Sequence, residues 1–236
     1  MNDSLLHVIP DAPPPVEDGA HLLGRLLHRF RNSLTSVRGY AELLASENVP
    51  AERRRQWAGH IVTQLDRIEH LQSRLDASAR NERSASEHSL GMILRAAVQR
   101  TRQRAASHTQ HVDLRLRGED VLVDGDGDAL TEAVAALLEN ALEASAAAGG
   151  DRVDVLVARE DDDWTLRVVD TGDGLSPEVA EHAGSPFFSR KTGHLGLGLY
   201  LCRAVLRRHD LDLELANAPE AGAMVTIRGR RLPSYL

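Results

Sequence analysis

DTGDGLSPEVAEHAGSPFFSRKTGHLGLGLYL, residues 170–201, holds two glycine clusters joined by a short connector and followed by an apolar helical pattern. Leu166–Val169, just before it, alternate little and predict a buried strand, which puts Asp170 at a strand end. Gly172 and Gly174 carry no Cβ, so the backbone there can turn tightly and approach a ligand closely. Gly193, Gly196 and Gly198 make a second loop that runs into a helix over Leu199–Arg208. Free N–H groups and a positive dipole end at such a helix start suit phosphates. One glycine-rich loop is a weak signal. Two at this separation, with Asn140 upstream, are a strong one.

Outside this stretch, composition narrows the possibilities. A chain of 236 residues can build one large or two small domains with proper cores. Only 3% of residues are aromatic, so Leu, Val, Ile and Ala must fill those cores. The single cysteine, Cys202, excludes an intramolecular disulfide and a multi-cysteine zinc site, and reads as a small buried hydrophobe in a reducing compartment. No apolar run approaches the ~18–20 residues needed to span a bilayer, and no signal-peptide pattern opens the chain. The expectation is a cytoplasmic location with no membrane segment, the input arriving from a sensor protein in trans or from a part outside this sequence. The net charge of −7 is uneven: segments 1–18, 19–104 and 105–236 carry −4, +7 and −10. The basic segment suits an acidic partner or simply solvated helix faces. No aromatic interleaving or DNA-reading motif favours nucleic acid.

Residues 1–18 contain four prolines and no helical period, and read as a flexible tail. Leu23, Leu27, Phe30, Leu34, Val37, Ala41 and Leu44 then recur at spacings of four and three, a coiled-coil seam over three heptads. Pro50 ends that helix, because it supplies no N–H and biases its predecessor away from helical geometry. A second helix begins near Ala51 with Ala58, Ile61, Leu65, Ile68 and Leu75 as its seam, flanked by Trp57 and Leu71. The short connection predicts an antiparallel hairpin. One hairpin with one apolar stripe is half a core, so two copies complete a four-helix bundle and a homodimer is expected. His28 falls at an outward heptad position, with Asn32 four residues on along the same face. A solvent-facing imidazole with a pKa near neutrality is accessible for chemistry. His21, one heptad earlier, is its rival but has no matching asparagine.

Residues 77–90 are small and polar and read as an interdomain linker or a frayed helix end. An amphipathic helix follows over Gly91–Arg104, then strands over Val112–Leu116 and Val121–Val123. Asp124, Asp126 and Asp128 mimic the opening of a calcium loop, but Ala129 and Ala135 stand where glycine and glutamate are needed. These acids instead predict the start and cap of a helix over 129–147 that carries Asn140. Strands are expected over Val153–Ala158, Trp164–Asp170, Leu211–Leu215 and Ala223–Ile227.

Asn140 in LLENALEAS, Asp170–Gly174 as D-x-G-x-G, PFFSRK at 186–191 and GLGL at 196–199 resemble, in order and spacing, the four nucleotide-binding boxes of sensor histidine kinases. The PFF-S-x-K form with GLGL is most similar to the nitrogen-regulation-type kinases. His28-Arg29-Phe30-Arg31-Asn32 resembles the family's H-x-x-x-N phosphoacceptor box, and SLTSVRGYAELL continues in the same style. The resemblance implies an α+β multidomain protein. A helical-hairpin dimerisation and phosphotransfer domain at 19–82 would be followed by a linker at 83–89. An α/β-sandwich ATP-binding domain of the gyrase/Hsp90/histidine-kinase type would occupy 90–232.

The resemblance also implies roles. Asn140 would hold Mg2+, and Asp170 would accept the adenine amino group, with Gly172 and Gly174 admitting the base and Thr226 supporting Asp170. Ser185–Gly198 would form a lid whose Gly196 and Gly198 close over the triphosphate, with Lys191 or Arg190 facing a phosphate. Ala136 stands where related ATPases carry a water-activating glutamate, which favours transfer to a protein side chain over hydrolysis. Glu143 replaces a residue often basic in other members. Arg29 stands where most members place an acid that takes up the imidazole proton. The expected function is ATP-dependent autophosphorylation of His28 and transfer to an aspartate in the receiver domain of a separate response regulator. The alternatives are a homologue biased toward phosphatase or phosphotransferase action, and a nucleotide-binding signalling scaffold without transfer.

Overall fold

The computed structural model describes residues 19–46, 49–79, 86–104, 111–116, 120–160, 163–191 and 196–230. The expected tail at 1–18 and Gly193 lie outside the described residues, as do the side chains of His21 and Arg29. Two compact units meet in sequence between Asp76 and Ala77.

The first unit is helical: α1 (Gly19–Leu44) and α2 (Ala51–Ala79). Pro50 falls just ahead of α2, where a missing N–H costs nothing. The two helices form an antiparallel hairpin, and the rings of Tyr40 and His60 stack across it at 4.9 Å. The heptad seam is not covered within one chain. Leu23, Leu27 and Leu34 are each more than half exposed, and Val62 and Leu65 on α2 are exposed as well.

The second unit runs β1 (Glu87–Ser89), α3 (Leu90–Arg104), β2 (His111–Leu116), β3 (Leu122–Asp124), α4 (Gly127–Ala147), β4 (Arg152–Glu160), β5 (Asp163–Asp170), α5 (Pro177–His182), α6 (Gly198–Arg208), β6 (Asp212–Asn217) and β7 (Ala223–Arg230). A five-stranded sheet has the order β2-β4-β5-β7-β6; only β2 and β4 pair in parallel, across the connection that contains α4. Val153, Val155, Val157, Leu166, Val168, Leu213 and Ile227 point to one face, and α3, α4 and α6 bury it. Cys202 is buried in that core, as its sequence context suggested.

One boundary differs from expectation. Residues 87–89, read as the end of the linker, form β1 and pair antiparallel with β3 in a separate two-stranded sheet. The polar composition of this stretch hid the strand, because its pairing partner lies more than thirty residues downstream. The same stretch caps α3. Ser89 Oγ accepts from Met92 N at 3.0 Å, and Asp120 Oδ1 accepts from Gly91 N at 3.0 Å and Val121 N at 2.9 Å. Burial alone would push the Asp120 carboxyl up. The Ser89 hydroxyl, the two N–H groups and the nearby Arg95 charge outweigh it and hold Asp120 below the usual carboxylate range.

Two further locks set the helix that carries Asn140. Glu132 is almost fully buried on α4 and binds Arg104 at 2.9 Å and Arg100 at 3.1 Å, both on α3, while Arg104 also reaches Glu139 at 2.9 Å. Burial disfavours the Arg104 charge, but hydrogen bonds to Glu132 and Glu139 more than offset it and raise its pKa. At the start of α4, Asp126 accepts from Ala129 N at 2.9 Å as N-cap, and its own N–H donates to His209 Nε2 at 3.0 Å. His209 Nδ1 in turn lies 2.8 Å from Val205 O, so the imidazole ties the end of α6 to the beginning of α4. The acids at 124–128 therefore start and cap the helix, as the sequence implied.

Candidate active site

Four segments converge on the C-terminal half of α4. Asp170 ends β5 and is buried, and its Oδ1 accepts from Gly172 N and Ala223 N, both at 2.9 Å. Both of these bonds go to one oxygen, so among the described residues Oδ2 is the atom left to accept from a ligand amino group. Gly172 packs on α4: a Cβ there would lie 3.0 Å from Ala144 O, one turn beyond Asn140. Gly174 sits at φ +75°, where a Cβ would meet Asn217 Oδ1 at 2.7 Å. Asn217 clamps this loop from both sides, accepting from Leu175 N at 2.6 Å and donating to Leu175 O at 3.2 Å. Ser145 Oγ adds a third tie, accepting from Thr171 N at 3.0 Å. The result is a cradle around a buried carboxylate, in which a Cβ at 172 would crowd Asp170 Oδ1 and one at 174 would collide with Asn217.

The PFFSRK and GLGL segments are joined to each other. Phe187 N donates to Gly196 O at 2.8 Å, and a Cβ at Gly196, φ +67°, would fall 2.6 Å from the Phe187 and Phe188 backbone. Phe187 itself is buried at φ 65°, an uncommon geometry for a residue with a side chain. Gly198 begins α6, whose core residues pack with those of α4. Lys191 reaches α4 directly: its Nζ is 2.7 Å from Glu143 Oε2 and 3.4 Å from Asn140 O. Arg190 turns elsewhere, to Ser176 Oγ at 3.3 Å. Asn140 is half-buried on the turn that Lys191 touches. Among the described residues no group of three or more His, Cys, Asp or Glu could hold a metal ion. A divalent cation here would lean on Asn140 and on phosphate oxygens.

The structure sets Gly172, beside Asp170, and Lys191 against the α4 turns at and just beyond Asn140, keeps Gly174 in the loop that follows Asp170, and ties Gly196, two residues before Gly198, to the PFFSRK segment. It does not bring Thr226 to Asp170. Thr226 pairs with Arg167 across β5 and β7, and cross-strand partners share a face. Asp170 lies three positions further along β5, so its side chain points to the opposite face. The β7 group that does support Asp170 is the Ala223 N–H. Reading β7 for a polar side chain missed it, because a backbone donor leaves no mark in a sequence. Asn217 was also missed; its only signal is an asparagine ending a strand before the turn Ala218–Gly222.

In the helical unit, His28 and Asn32 lie exposed on α1, with Asn32 Nδ2 3.5 Å from His28 Nδ1.

A sheet backed by three helices, with a carboxylate cradle beside a helical asparagine, defines a nucleotide-site fold joined in sequence to a helical hairpin. Comparison with known proteins agrees with this architecture. Residues 20–84 match the His Kinase A (phospho-acceptor) domain, and residues 125–232 match the histidine kinase-, DNA gyrase B- and HSP90-like ATPase family. Sporulation kinase B of Bacillus subtilis (strain 168) is 24% identical over 213 residues, which cover 89% of this chain and 49% of that protein. Sensor histidine kinase ZraS of Klebsiella oxytoca is 27% identical over 210 residues, covering 87% and 45%. Among solved structures, histidine kinase ThkA in complex with the response regulator protein TrrA superposes with a TM-score of 0.71 at 20% identity, over 92% of this chain and 63% of that one. Acinetobacter baumannii histidine kinase AdeS gives 0.63 at 16% identity, over 87% and 98%. The chain belongs to the sensor histidine kinase family of two-component systems. It carries the family's phosphoacceptor and ATP-binding domains and spans about half the length of the curated relatives it matches. No helix among the described residues is long and apolar enough to cross a membrane.

Proposed function

We propose that this chain is the catalytic core of an ATP-dependent histidine kinase. It would autophosphorylate on His28 and pass the phosphoryl group to an aspartate of a separate response regulator. The observation that carries the reading is the Asp170 cradle and the Lys191 contact, both built against the turns of α4 at and just beyond Asn140. The hairpin at 19–82 would dimerise through its uncovered leucine stripe and present the acceptor; the domain at 90–232 would bind Mg–ATP. Asp170 accepts the adenine amino group. Asn140 would supply a neutral oxygen to Mg2+, which when bound would neutralise charge on the transferred group. Lys191 supplies a cation to the phosphates, and the Gly196–Gly198 turn offers N–H groups at the start of α6.

His28 needs one ring nitrogen with a free lone pair. With the Asn32 amide turned so that Oδ1 faces Nδ1, it accepts a hydrogen bond from Nδ1–H and leaves Nε2 as nucleophile. Transfer forms the Nε2–P bond, breaks the bond between the γ-phosphorus and its bridging oxygen, and frees ADP. The Nδ1 proton must then leave the phosphorylated ring.

Arg29 occupies the place of the usual proton acceptor and stays protonated at ordinary pH. This position favours a second reading in which kinase output is slow and phosphotransfer or phosphatase action, relying on Asn32, dominates. A general base is worth roughly 10²–10⁴-fold, so Arg29→Glu should speed autophosphorylation by at least about tenfold in single-turnover labelling. A slower variant would make Arg29 an active catalytic element and end that reading. The main proposal is tested with γ-labelled ATP on wild type and His28→Ala. Acid-labile label lost in the variant supports it, whereas nucleotide binding without any label makes the chain a scaffold.

A further inference from the structure

Composition and one contact point to the same pair of residues. The chain holds 28 lysines and arginines, and Lys191 is the sole lysine among them. Among the described residues arginine makes the ion pairs Arg38–Glu42, Arg100 and Arg104 with Glu132, Arg152–Asp154, and Arg228–Glu214. A guanidinium is a planar fork suited to fixed bidentate pairing, whereas an ammonium is a compact charge with three rotatable donors that changes partners easily. This chain keeps its one ammonium at the α4 turn that carries Asn140. There Lys191 Nζ lies 2.7 Å from Glu143 Oε2 and 3.4 Å from Asn140 O. Both partners are more than a third exposed, so an anion from solvent can reach the pair. Glu143 follows Asn140 by three residues and puts a negative charge at the edge of a site read as binding a triphosphate.

We infer that Glu143 is a placeholder for phosphate. It holds the Lys191 ammonium at the Asn140 turn in the nucleotide-free protein and gives it up to phosphate oxygens when Mg–ATP binds. This rests on the nucleotide-site reading above and deepens it: Glu143 is a positioning residue that also sets the affinity, because carboxylate and phosphate compete for one cation. An exposed ion pair contributes ~0.2–1 kcal/mol, and tenfold in affinity corresponds to about 1.4 kcal/mol. Removing the competitor should therefore tighten Mg–ATP binding by about 1.4-fold to fivefold, with some further gain from relieved repulsion.

The single lysine makes the test direct. In the full chain grown with lysine labelled at 13Cε, the protein shows one lysine resonance. Glu143→Gln should shift it in the free protein. Saturating Mg–ATP should move it in both wild type and variant to a common position, because Glu143 no longer touches the ammonium. A parallel titration should give the tighter Kd for Glu143→Gln. Weaker or unchanged binding in that variant would overturn the inference, as would lysine resonances that stay as far apart with nucleotide as without it. If wild type bound no Mg–ATP at all, the nucleotide-site reading itself would fall, and this inference with it.

Discussion

The two halves of this chain solve the same problem in opposite ways. The sandwich finishes its core within one chain: Leu94, Leu138, Val153 and Val155 have no exposed surface, and three helices cover one sheet face. The hairpin leaves Leu23, Leu27 and Leu34 more than half exposed along one heptad stripe. A stripe of that kind is stable in water only when something covers it, and a second hairpin carries the matching pattern. The nucleotide domain thus closes its own core. The helical hairpin leaves an apolar stripe open, the surface through which the proposed dimer would form.

The sharpest way to break this comparison separates the two chemistries. His28→Ala should abolish acid-labile phosphorylation while leaving Mg–ATP affinity unchanged. Asp170→Asn should instead weaken Mg–ATP binding itself, and phosphorylation only through that loss. Its Oδ1 can still accept from Gly172 and Ala223, but its amide then faces the adenine amino group donor to donor. A hydrogen bond to a charged group is worth ~1.5–3 kcal/mol, so affinity should fall roughly 10- to 100-fold by titration calorimetry with the dimer intact. Dissociation of the Asp170 variant would place the association surface in the wrong half.

Next in size is Leu34→Glu, which would bury an unpaired carboxylate in the proposed bundle. Such a charge costs several kcal/mol, so the dimer Kd should rise at least ~100-fold by sedimentation equilibrium. Nucleotide binding by the sandwich should persist. A smaller effect belongs to the sandwich alone. Glu132→Ala removes the buried carboxylate that Arg100 and Arg104 share while Arg104 keeps Glu139, and should cost roughly 1.5–3 kcal/mol in denaturant unfolding without changing oligomeric state.

The smallest effect is at Asp120, which caps α3 from an exposed loop. Its folded pKa is depressed, so its contribution is present above the unfolded pKa and disappears as pH falls through the folded value. The stability difference between wild type and Asp120→Asn should therefore be under ~1 kcal/mol at neutral pH and should vanish below the usual carboxylate range. A difference that persisted in strong acid would show that the cap acts through shape, not charge.

Much of this architecture was legible in the residues. The heptad spacing of α1 and the order of Asn140, D-x-G-x-G, PFFSRK and GLGL are local patterns, and local patterns report backbone periodicity, turn geometry and the need for absent side chains. Each needs only a short window, so one sequence suffices to place helices, strands and the four boxes. The sandwich fold followed from the family resemblance that the boxes carry, and the outward position of His28 with Asn32 beside it followed from the heptad spacing.

What the sequence left open depends on which segments meet. Thr226 looked like the support for Asp170, yet strand register sets it against Arg167 on the other face, and the Ala223 N–H does the work instead. β1 was invisible because three polar residues become a strand only when β3 lies alongside them. Glu143 read as an isolated substitution until Lys191, nearly fifty residues away, came within 2.7 Å of it. Register, cross-element pairing and backbone donors are properties of the assembled sheet and helices. A side-chain sequence does not encode them one residue at a time, and only the tertiary structure decided them.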